Sequence, residues 1–126
     1  MGLQKGDNEA DAVAALAVDL WKLLKVSERM LKSLPEDKRK RTGAQLRFSA
    51  SRLDKHLEAL NMSLETFDGH VFGPELPAVA INADDFDSAE NLVVESAVEP
   101  AVILRDKVIQ NARVMLRERD ADVSGN

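Results

Sequence analysis

Two histidines, a cluster of aspartates and a short basic run are the residues of this chain whose types could do chemistry. His56 stands beside Leu57, and His70 lies between Asp68 and Glu75. A zinc site needs three or four converging ligands at compatible spacing, and neither histidine is embedded in such a set. His70 then reads as a contact residue or as a solvated loop histidine. Asp84, Asp85, Asp87 and Glu90 are crowded enough to attract a hard cation weakly, but they lack the calcium-loop spacing and its glycine. An acidic solvated turn is the plainer reading. Ser49, Ser51 and Ser63 have no activating partner, there is no cysteine, and no glycine-rich stretch could cradle phosphate. The chain therefore carries no enzyme signature, and neither a cofactor nor a metal is expected.

The basic run Lys38-Arg39-Lys40-Arg41, followed by Arg47, Arg52 and Lys55, could meet nucleic acid, acidic lipid or the acidic face of a partner, or could simply be solvated. Charge is divided along the chain. Residues 1–60 hold 12 Lys and Arg against 9 Asp and Glu, a net of +3, whereas residues 61–126 hold 5 against 13, a net of −8. So acidic a second half argues against binding nucleic acid there. No apolar run has transmembrane length, and residues 1–9 lack the basic start and apolar core of an export signal, so a cytoplasmic protein without membrane insertion is expected.

These residues must be positioned by helices first. From Asp11 onward Val13, Leu16, Leu20, Leu23, Leu24, Met30, Leu31 and Leu34 recur at threes and fours among alanines, which predicts an amphipathic helix. Ser33-Leu34-Pro35-Glu36 reads as a capping box, with Ser33 capping a second helix that carries Leu46, Phe48, Leu53, Leu57 and Leu60. Gly43 is either a bend or a costly interior position. The two helices form a hairpin or join the helices of another chain, and periodicity alone leaves both open. Leu16, Leu20, Trp21, Leu24, Leu31, Leu53 and Leu57 are the candidate interface residues, and Trp21 reads equally as core or as interface. Dimerisation, or a hetero-oligomer through the helices, is the expected state.

At Asn61 the period changes. Short apolar runs at 64–67, 78–83, 92–98, 101–104 and 107–116, separated by Asp68-Gly69, Gly73-Pro74, Glu99-Pro100 and Arg105-Asp106, predict short, mainly antiparallel strands. Residues 92–98 and 101–104 are one candidate pair, Gln110-Asn111 a candidate break, and 70–77 an ordered loop across the sheet. The fold class is therefore α+β: a flexible lead over 1–9, two N-terminal amphipathic helices over 10–61, a small β domain over 62–117 and a loose tail over 118–126.

Residues 61–117 resemble the β domain of the GrpE family, the nucleotide exchange factors of DnaK-type chaperones. The likeness is carried by Leu64-Glu65-Thr66-Phe67-Asp68-Gly69-His70-Val71-Phe72-Gly73-Pro74, entered straight from a helix, by Asn91-Leu92-Val93-Val94-Glu95, by Glu99-Pro100-Ala101-Val102-Ile103-Leu104 and by the stretch 107–116. Gly73-Pro74 stands where the family has Asp-Pro, Asn111 where it commonly has proline, and the helical part is shorter than the family's paired stalk. The resemblance implies a homodimer joined through helices, whose β domain contacts a DnaK-like ATPase and opens its nucleotide cleft. The proline-ordered loop and its aromatic residue would centre such a contact on Phe67, His70, Phe72, Glu75 and Leu76, supported by Arg105, Asp106, Lys107 and Asn111, with Phe72 as either core or recognition aromatic. The other reading is a structural or adaptor protein that keeps a GrpE-like head and uses its helices to join an assembly.

Overall fold

A computed structural model describes residues 2–88 and 90–119 of the chain. Helix α1 (Gly2–Met30) is 29 residues long and α2 (Glu36–Ala59) is 24, or about 43 and 36 Å at 1.5 Å per residue. The helical backbone starts at Gly2, within the stretch expected to be loose. Between the helices Leu31–Ser33 forms a 3-10 turn. Pro35 disfavours helical backbone at the residue before it, and Leu34 is accordingly extended, with ψ of 151°. The expected capping box does not form: the Ser33 hydroxyl donates instead to the Met30 carbonyl, 2.8 Å away, and so caps the end of α1. Pro35 itself takes the N-cap position of α2 without a side-chain bond, while Glu36 and Asp37 place negative charge at the positive end of the helix.

The helices fold back as a hairpin. Gly43 is no bend but a buried position inside regular helix, where an added Cβ would lie 3.6 Å from the Leu31 side chain. Asn61, in the left-handed region at φ 57°, ends α2 and turns the chain into the head.

Six strands follow: β1 (Met62–Glu65), β2 (Ala78–Ala80), β3 (Leu92–Glu99), β4 (Ala101–Leu104), β5 (Lys107–Gln110) and β6 (Ala112–Glu118). They form two three-stranded sheets, β1-β4-β5 and β2-β6-β3, and every pairing is antiparallel except β2 with β6. The expected pairing of 92–98 with 101–104 is incorrect. Pro100 alone separates β3 from β4, fewer than the two residues of the shortest common hairpin loop, so the chain passes from one sheet into the other. Buried Pro100, which has no N–H to satisfy, suits that crossing. The expected break at Gln110-Asn111 is real, and Asn111 carries the chain back from the first sheet to the second. The tail expected to be loose lies outside the described residues from 120 onward, and β6 holds its start through Glu118.

Two cores result. Ala14, Ala17, Val18 and Leu24 of α1 pack with Leu53 and Leu57 of α2 and with Met62 and Val102 of the first sheet. Leu92, Val94, Ala101, Ala112, Val114 and Leu116 fill the second, with Phe67, Phe72 and Leu76 half-buried against them. The hairpin is thus packed onto the head, and a 3.1 Å ion pair between Lys22 and Glu99 adds a polar tie. The protein is a mixed α+β fold with two N-terminal helices ahead of a small, mainly antiparallel β region.

Candidate functional site

Helix α1 has more apolar residues than the other described residues cover. Its inward face supplies the alanines, Val18 and Leu24, whereas Leu16, Leu23 and Met30 are 69%, 61% and 64% exposed and Leu20 is exposed beside them. Spacings of four, three and seven put these four on one stripe of the helix, with Ser27 filling the gap. The seven interface candidates therefore divide. Leu24, Leu53 and Leu57 are buried within the chain, Trp21 and Leu31 are half-buried, and Leu16 and Leu20 point out. Leu23 and Met30 belong with the outward pair, and the heptad-like spacing was the signal for them.

The nine head residues divide as well. Phe67, Phe72 and Leu76 contribute to the second core, so Phe72 is first a packing residue. His70 stands edge-on to Phe67, their ring centroids 5.6 Å apart, and is exposed, as are Glu75 and the neighbouring Val71. The segment holding them is tied along the edge of β3: Gly69 N–H donates to the Val94 carbonyl at 2.8 Å, Val94 N–H to the His70 carbonyl at 2.9 Å, and Phe72 N–H to the Leu92 carbonyl at 2.9 Å. Asn111 lies nearby in the chain path, since Ala112 N–H donates to the Pro77 carbonyl at 2.9 Å.

Arg105 and Asp106 are elsewhere. With φ of 50° and 68° they make the two-residue turn between β4 and β5, a mirror-image turn whose twist suits a hairpin. The Arg105 N–H donates to the Asn61 carbonyl at 2.8 Å, which fixes the turn beside the end of α2. Because Met62 pairs with Leu104 and Glu65 with Ala101, this turn and Phe67 flank opposite ends of the same strand pair. They are separated by roughly 10–13 Å of strand. Lys107 goes with the turn, so the structure does not bring Arg105, Asp106 and Lys107 to the Phe67–Leu76 segment. An open cleft of about 780 Å³ lies beside the turn, lined in part by Asp54, Glu58, Asn61 and Ser63.

Among the described residues no three His, Cys, Asp or Glu side chains come together as a metal group. His56 lies 3.5 Å from the Arg52 guanidinium. What the arrangement exposes is an apolar helical stripe, a loop edge on one sheet and a turn on the other. Among the described residues no helix is long and apolar enough to cross a membrane.

A helical hairpin packed on a two-sheet head defines the class of protein. Comparison with protein-family models, curated proteins and solved structures finds no match.

Proposed function

We propose that this chain is a GrpE-like co-chaperone that pairs through the outward stripe of α1 and binds a DnaK-like ATPase through its β head, promoting nucleotide release without bond chemistry of its own. The observation that carries the reading is the stripe of Leu16, Leu20, Leu23 and Met30, exposed on a helix whose opposite face is already packed. An apolar stripe of that length on a monomer marks an interaction face. Its occupant in this reading is a second copy, which would present two heads. The motifs of the head supply the chaperone half of the reading, and its contact is centred on the exposed His70, Val71 and Glu75 rather than on Phe72.

Exchange needs only a difference in affinity. If the head binds the open nucleotide cleft more tightly than the closed one, the population shifts toward release, and a tenfold shift needs about 1.4 kcal/mol. The test is stopped-flow release of a fluorescent nucleotide from a DnaK-type ATPase, paired with binding to its empty and loaded states. Release that accelerates and saturates with added protein is expected. Equal affinity for both states with unchanged release would eliminate exchange and leave the adaptor reading, which the same α1 stripe supports.

A further inference from the structure

A groove of about 430 Å³ runs between α1 and the second half of β3, within the size range of ligand-binding clefts. Its existence follows from the path of the head. β3 is an edge strand, and the segment from Gly69 to Phe72 bonds to it only alongside Leu92 to Val94. At Phe67 the backbone enters the left-handed region, φ 63°, and its neighbours Thr66 and Asp68 line the groove. Among the described residues no strand pairs with β3 on the far side of Ser96, Ala97 and Val98, which line the groove. Register shifts between Val94 and Ser96 and between Ala97 and Glu99, the second at Val98 itself, bend this stretch locally. A free edge is a template for another strand.

The opposite wall is cationic. Lys22, Lys25 and Arg29 come from α1, and Asp68 is the single acid in the lining. Glu99 holds Lys22 at 3.1 Å, while Lys25 has only a 3.6 Å partner in Glu28, with both side chains half exposed, and Arg29 is in no ion pair among the described residues. Trp21, the only tryptophan of the chain, stands in the same wall with the Lys25 ammonium 5.5 Å from its ring. A second cleft, of about 260 Å³ between α1 and α2, opens beside the same indole. The half-buried indole thus lines both clefts.

We propose that this groove takes an extended acidic peptide segment of a partner protein, added as a strand to the free edge of β3. Its main chain bonds to Ser96–Val98, its carboxylates meet Lys25 and Arg29, and an apolar side chain rests on Trp21. Strand addition supplies affinity through main-chain bonds and specificity through alternate side chains. A nucleic-acid strand has no such main-chain rows. The groove lies within one chain, so it needs neither self-pairing through α1 nor a chaperone ATPase.

Trp21, as the only tryptophan of the chain, gives a fluorescence readout at the groove, and exchange at 96–98 separates binding there from binding in the cleft between the helices. The full chain is titrated with a blocked hexapeptide alternating glutamate and valine, and amide exchange is followed by mass spectrometry. A saturable fluorescence change with slowed exchange at 96–98 is expected, and the lysine-valine counterpart should give neither. Lys25→Glu combined with Arg29→Glu should weaken binding by about tenfold or more at unchanged circular dichroism. The same peptide N-methylated at alternate residues keeps its charge but cannot pair with a strand edge, so it should not bind. Equal binding of the methylated peptide, protection that falls away from 96–98, or competition by an oligonucleotide but not by peptide would each overturn the inference.

Discussion

Replacing Leu16 and Leu23 together by glutamine separates the two faces of α1 energetically. Full burial of a leucine is worth about 1.5–3 kcal/mol relative to leaving it exposed. Both side chains are more than three-fifths exposed in the single chain, so pairing can still recover about 1–2 kcal/mol from each. A symmetric pair would bury four such side chains, and the double variant then forfeits about 4–8 kcal/mol of association, or about three to six decades in dissociation constant. Folding of the single chain should change little, because these residues touch neither core. Sedimentation velocity over a wide concentration range reads the first effect, and urea unfolding of the monomeric variant reads the second. The expected result is a concentration-dependent dimer for the parent and a folded monomer for the variant. A parent that stays monomeric at about 100 μM, well above a micromolar constant of about 8 kcal/mol, would refute the pairing. A variant that unfolds would show instead that the stripe belongs to the core.

Leu57→Ala should cost about 2–5 kcal/mol, since this buried side chain joins both helices to the first sheet, and guanidinium unfolding should lose helix and sheet signals together. Asn82→Ala should cost about 1–3 kcal/mol by urea unfolding. The Asn82 amide donates to the Leu116 carbonyl at 3.0 Å and accepts from the Leu116 N–H at 2.8 Å, in effect lengthening β2 by a residue. Asp106→Gly should raise stability by about 0.5–1 kcal/mol in the same assay, because glycine meets the positive φ of the β4–β5 turn without a Cβ penalty.

Helix existence was legible because leucines at threes and fours leave few other readings, and the β character of the second half was legible from runs too short for helices. The outcome of Ser33-Leu34-Pro35-Glu36 was not: the motif matches a capping box residue for residue, yet the proline places itself at the N-cap and frees the hydroxyl for the preceding helix. Strand partners were hidden for a similar reason. Sequence adjacency favours pairing β3 with β4, but a single buried proline between them sends each to a different sheet. The interface candidates were found by period, yet period cannot say which side of a helix the rest of the molecule covers. Leu23 and Leu24 are neighbours in sequence, one exposed and one buried. The groove beside Trp21 had no local signature, because its walls come from residues 21–29 and 96–98, which only the fold brings together.

The dependence of α1 on Val102 also sets an order of events during synthesis. Ala17 and Val18 leave the ribosome about 80 residues before the strand that completes their cover, and at about 5–20 residues per second that is several seconds of waiting. During that interval the helix has two sticky sides rather than one. The emerging chain can hide the inner side against Leu53 and Leu57 once α2 is out, but among the described residues nothing covers the outer stripe. If the stripe pairs as proposed, newly made copies on one message would be the nearest source of a matching surface, and pairing during synthesis would cover it first.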